Sequence, residues 1–315
     1  MSYSNYQPRR EVLVNTMESY LSATGGSFPD EHLSYFGSVC IDVDSVCRKA
    51  LTIAMTEVSE EARKATVFAF SASIEISPFA SKIGEDIYRI SMPVGLVQQL
   101  IETAPSEQAS TRSGHAGIRR SSVIYAAITA FAHELDHLFI GHLEHHDSKA
   151  QEFDADFKAG MLMPVWANLP DFQPGLKPGQ LADSYLECLL GFLHLCSLFR
   201  GSDDGDHGLY LSPKLRFYTM TNGLVFACKH KLKEERAEEE ILARLKILPT
   251  LFGHSESALG LRDLYEQVAS GLTAEESAKL DQLAQERERE KAKWYSNSTH
   301  IRSIARQLKA ILKRD

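Results

Sequence analysis

Residues 122–146 read SVIYAAITAFAHELDHLFIGHLEHH. The first half is an apolar run with no Pro or Gly, and it leads without a break into His133-Glu134-Leu135-Asp136-His137. Such a run predicts a helix over about 122–144, and a helix this oily is normally held in a core. Residues four apart on a helix lie one above the other on the same face, so His133 and His137 can present two imidazoles to one tetrahedral metal. Glu134 follows the first imidazole, where its carboxylate can reach a metal-bound water and accept its proton. Unpaired His and Glu side chains in a core helix would be expensive, so the pattern asks for a ligand.

A catalytic zinc site needs a third protein ligand and one open position. Glu152 and Asp156 are four apart in KAQEFDADFKAG, a predicted helix over 149–163. Glu152 there can reach the metal while Asp156 takes the far ring N–H of a ligand histidine. His142, His145 and His146 compete for the third position. His142 is five residues past His137 and so turned well round a straight helix; it joins the centre only if the helix stops near Gly141 and the chain doubles back. The spacing favours Glu152, and the HLEHHD stretch reads as a solvated helix end.

The rest of the chain frames this centre. The sequence has 315 residues, 43% of them hydrophobic and 24% charged, which is ordinary for a globular protein. A net charge of −8 disfavours sequence-independent nucleic-acid binding, which needs concentrated positive charge. Cys40, Cys47, Cys188, Cys196 and Cys228 show no C-x-x-C pairing, which argues against a disulfide framework or a cysteine zinc cluster. The first twenty residues lack the apolar run of a secretory signal, and no uninterrupted apolar stretch approaches the length of a membrane span. The expectation is a cytoplasmic protein with no membrane partner.

Along the chain, residues 1–30 read as a flexible leader with one short helix, 31–248 as the metal-bearing domain and 249–315 as a helical C-terminal region. A helix is predicted over 43–63. Segments 65–77 and 86–93 read as a β-hairpin or two neighbouring strands, with 78–85 as the turn between them. Further helices are predicted over 95–104, 180–200, 214–232, 235–246, 256–270, 273–294 and 299–312. Thr273 and Glu276 form a capping box. QEREREKAKW (285–294) reads as a solvent-facing helix, with contact to a partner through 249–315 as the alternative. The fold class is α+β, mostly helical with a small sheet before the metal helix.

With H-E-x-x-H on one helix and E-x-x-A-D on the next, the chain resembles gluzincin-type zinc metallopeptidases. It is similar to the ImmA/IrrE-like group, whose second helix often reads E-x-x-A-N/D-x-x-A-x-x-L-L-M-P; here Glu152, Ala155, Asp156, Ala159, Leu162, Met163 and Pro164 match, offset by one at the end. It also resembles the phage-exclusion Lit-like peptidases, which have a β-rich segment before the metal helix and a later Pro-x-x-Arg element, here Pro213 to Arg216. The similarity covers 122–165, with a weaker echo to 220. Position 136, commonly Gly in those groups, is Asp, and nothing after 249 has a counterpart.

The resemblance implies a zincin-like domain holding one Zn²⁺ through His133, His137 and Glu152, with Glu134 as catalytic base and Asp156 behind the ligands. It implies an intracellular endopeptidase with a narrow protein or peptide substrate, in phage defence or stress response. The other reading is a catalytically silent zincin-fold scaffold that binds a partner through its C-terminal helices. Candidates to stabilise the oxyanion are His207 and Tyr210 in GDHGLYLSP, then Arg216, which could equally pair with a carboxylate of the cluster. From the same resemblance, IYRISMP is the candidate edge strand for an extended peptide.

Overall fold

A computed structural model describes residues 7–25, 30–55, 66–84, 87–105, 118–144, 147–167, 184–199, 210–252 and 256–297. The described residues are mostly helical, with one three-stranded sheet early in the chain. Helices α1 (Gln7–Thr24) and α2 (Asp30–Ala54) precede strands β1 (Thr66–Ser71), β2 (Phe79–Lys82) and β3 (Tyr88–Pro93). Then come α3 (Val94–Thr103), α4 (Ile118–Ile140), α5 (Lys149–Ala167), α6 (Ser184–Leu198), α7 (Pro213–His230), α8 (Ala237–Leu245), α9 (Leu248–Phe252), α10 (Leu259–Ala269) and α11 (Ala274–Asn297).

Helix α4 is the axis of the fold. Every side chain from Ser122 to Asp136 is buried, because α2, α3, α5 and α6 pack around it. By length and composition Arg119–Ile140 could cross a membrane, although charged residues interrupt it, but 89% of its apolar window is buried inside the protein. It is a core helix. Phe68 of β1 meets Phe131 of α4 edge-on, with ring centroids 5.3 Å apart, and this ties the sheet to the helix.

Of the two arrangements expected for 65–77 and 86–93, the sheet has the neighbouring strands, β1 and β3, and not the hairpin. Its order is β1-β3-β2, with β1 and β3 parallel and β2 antiparallel to β3. The segment read as a turn, around FASK, is itself the edge strand β2. IYRISMP forms the central strand, with Ile90, Ser91 and Met92 buried, so it cannot serve as an edge. The short, weakly alternating β2 carries little strand signal of its own; its pairing with β3 makes it a strand. Helix α2 begins thirteen residues before the predicted start at 43, since Phe36, Val39, Cys40 and Val43 already form a buried stripe.

Helices α5 and α7 cross at backbone contact. A Cβ on Gly160 would lie 1.9 Å from the carbonyl oxygen of Met220, and one on Gly223 would lie 2.0 Å from that of Phe157. Two reciprocal glycines let the helices approach this closely and bring Arg216 onto Asp156. The helix predicted over 273–294 is present as α11, capped as expected: Thr273 N–H donates to Glu276 Oε2 and Glu276 N–H to Thr273 Oγ1. Its buried stripe is Leu280, Leu283 and Trp294, with Arg287 between them reaching α5. The QEREREKAKW segment is thus not simply solvent-facing. The predicted helix 299–312 lies outside the described residues.

Candidate metal centre

Two turns of α4 and the first turns of α5 converge on one point. His133 Nε2 lies 3.1 Å from His137 Nε2. The Glu152 carboxylate straddles the pair, Oε2 at 3.2 Å from His133 Nε2 and Oε1 at 3.3 Å from His137 Nε2. An ion bonded to three donors at zinc distances in tetrahedral geometry would hold them about 3.3 Å apart. These residues can therefore hold a metal ion with little movement, and the donor set of two imidazoles and one carboxylate suits zinc.

Behind His133 runs a chain of buried partners. His133 Nδ1 is 2.9 Å from Asp156 Oδ1, and Arg216 donates to both Asp156 oxygens at 2.9 and 2.8 Å. Burial opposes ionisation of Asp156, but the Arg216 guanidinium and the His133 contact hold its pKa at about 2. A carboxylate can only accept, so Nδ1 carries a proton, and Nε2 is the nitrogen that faces Glu152 and His137. Arg216 has its Nε and Nη2 committed to Asp156. That pairing ties α7 to α5.

The electrostatics of the trio ask for a positive charge. Burial opposes protonation of His133, yet Asp156 and Glu152 outweigh it and raise its pKa to about 10. Burial and the neighbouring His133 push His137 down to about 4. Burial also opposes ionisation of Glu152, and the two imidazoles keep it below the usual carboxylate range. The carboxylates around His133 thus favour a positive charge at this point, which a bound cation would also supply.

Glu134 lies beside this point and is buried. Burial raises its pKa to about 7, against the lowering effect of His133, and its Oε2 accepts the Ala80 N–H of β2 at 2.7 Å. That N–H points away from β3, out of the sheet edge. Tyr210 is 45% exposed, with its ring 5.8 Å from the Arg216 guanidinium carbon. Burial raises the pKa of its phenol, and the charges of Glu152 and Glu134 raise it further. His207 lies outside the described residues, as do His145 and His146. His194 is a core histidine, Nε2 3.0 Å from Thr103 Oγ1, as its apolar surroundings suggest.

Helix α4 does stop at Ile140, and Gly141 takes φ +82°, the left-handed geometry that ends helices and suits glycine. The chain doubles back and brings His142 to His137, but through the far nitrogens, Nδ1 to Nδ1 at 3.0 Å. His142 thus joins the centre from behind and not as a third donor beside Glu152. It is buried, which corrects its reading as part of a solvated helix end. With Asp136 and Asp154 it forms a second group whose donor atoms lie within 4.8 Å of one another. Neither Asp136 oxygen has a hydrogen-bond partner among the described residues, and burial pushes its pKa well up. Asp154 was not singled out in the sequence, although its place two residues after Glu152 puts it on the opposite side of α5.

No family model matches the chain, and no curated protein or solved structure matches it. The likeness drawn from 122–165 therefore rests on those residues alone.

Proposed function

We propose that this chain is a gluzincin-type zinc endopeptidase acting inside the cell on a specific protein substrate. The observation that carries the reading is the trio His133, His137 and Glu152, with donor separations of 3.1 to 3.3 Å, beside a buried carboxylate outside the trio. Zinc held there would supply Lewis-acid chemistry, polarising the scissile carbonyl and lowering the pKa of water.

The chain's own residues supply the rest. Glu134, with a pKa near 7, is suited to take a proton from the attacking water and pass it to the leaving amine. Asp156 and Arg216 fix the ring of His133. Tyr210, a phenol that can donate its O–H, is the described candidate to donate to the developing oxyanion, with His207 on the same segment.

The edge strand β2 favours an extended peptide as substrate. It lies beside Glu134, it offers the Ala80 N–H, and the exposed Phe79, Ile83 and Ile87 offer apolar contacts for side chains. A peptide strand on that edge would accept the Ala80 N–H and release the Glu134 carboxylate. The experiment that tests the function compares new protein termini in cells expressing the wild type or Glu134→Gln. Termini found only with the wild type support proteolysis. Their absence, with zinc bound, favours a silent scaffold.

A further inference from the structure

His142 and His137 face each other through Nδ1 at 3.0 Å, a separation that requires a single proton between them. If His137 Nε2 faces an ion, as the proposed zinc centre requires, the proton belongs to His137 Nδ1, and His142 Nδ1 is the acceptor. The remaining ring proton of neutral His142 then lies on Nε2, which faces Asp154 Oδ2 at 3.8 Å. Two further observations hold His142 in place. Gly141 at φ +82° returns the chain, and the Trp294 ring of α11 meets the imidazole edge-on at 4.6 Å. Arg287, also on α11, pairs with Asp154.

The same proton argues against a second ion in the Asp136–His142–Asp154 group while the first is filled. A His142 that ligated through Nε2 would carry its proton on Nδ1, and two N–H groups would then point at each other across 3.0 Å.

We propose that His142 is a positioning residue for the second imidazole of the centre: it accepts the Nδ1–H of His137 and so fixes the tautomer that turns Nε2 to the ion. The inference rests on the zinc reading above. It gives α11, which has no counterpart in the resembled families, a task as the wall behind His142.

The test measures zinc affinity of the full chain by competition with a chelator, for wild type, His142→Leu and His142→Asn. Loss of such a partner to a ligand histidine typically weakens binding about 10- to 100-fold, the drop expected for His142→Leu. His142→Asn, whose side-chain oxygen stands where Nδ1 stood, should return affinity to within about threefold of wild type. Nitrogen-15 NMR of the zinc-loaded wild type, which needs no variant to fold, should find His142 protonated on Nε2 and bare on Nδ1. A proton on His142 Nδ1, wild-type affinity in His142→Leu, or no rescue by His142→Asn would each overturn the assignment. If the wild type takes up no zinc at all, the centre itself falls; if it does and His142→Leu matches it, only the role of His142 falls.

Discussion

At the scale of single residues, the centre depends on buried charges that are safe only in company. Arg216 and Asp156 are both buried and share two hydrogen bonds. Removing one member of such a pair leaves the other charge stranded, at a cost of about 3–5 kcal/mol. Arg216→Met should therefore lower unfolding stability by that order in urea denaturation, a far larger effect than replacing a surface arginine such as Arg236. His194 gives the pH dependence. Burial depresses its pKa to about 3 in the folded chain, against about 6.5 when unfolded. The unfolded chain takes up the proton first, so this stability is present above pH 6.5 and declines as pH falls, by up to about 1.4 kcal/mol per pH unit. His194→Gln should remove about 2 kcal/mol of the stability loss between pH 6.5 and 5, read as the difference between wild-type and variant denaturation curves. His133, His137, Glu152 and Asp156 were legible because helical spacing is local. His142 was not, since its position depends on one left-handed glycine and on a tryptophan 152 residues away.

Among the elements, most helices and the strands β1 and β3 declared themselves, and β2 did not. The runs around 95–104, 149–163 and 214–232 lie within a few residues of α3, α5 and α7, because their apolar periodicity and the Ser212–Pro213 start are written locally. β2 is four residues long and exists through its pairing with β3, information that no window around FASK contains. The glycines of the α5–α7 crossing are similar: alone in a helical pattern each looks like a weakness, and only the partner helix reveals the need. Gly160→Ala would drive a Cβ into the Met220 carbonyl and Gly223→Ala into that of Phe157. Backbone on the receiving side cannot swing away as a side chain can, so each should cost at least about 2–3 kcal/mol by thermal or chemical unfolding. An unchanged midpoint in either variant would show that the helices do not cross as closely as described.

For the whole molecule, the sheet, α4 and the α5–α7 pair bring the centre together from segments up to 136 residues apart, Ala80 to Arg216. The C-terminal region contributes to it as well. Leu261, Leu264 and Val268 of α10 belong to the main core, and α11 lies against α5 with Arg287 on Asp154 and Trp294 on His142. Composition alone gave a mixed, mildly acidic globular chain and could not have located these contacts, which join charged residues to a site far back in the sequence. The central claim is that His133, His137 and Glu152 together hold one zinc ion. The most direct measurement is the zinc content of the full-length chain after dialysis against buffered zinc, for the wild type, Glu134→Gln, His137→Ala and Glu152→Ala. One zinc per chain in the first two and none retained in the last two is the result predicted. A wild type that retains no zinc, or a Glu152→Ala chain that keeps a full equivalent, would contradict it.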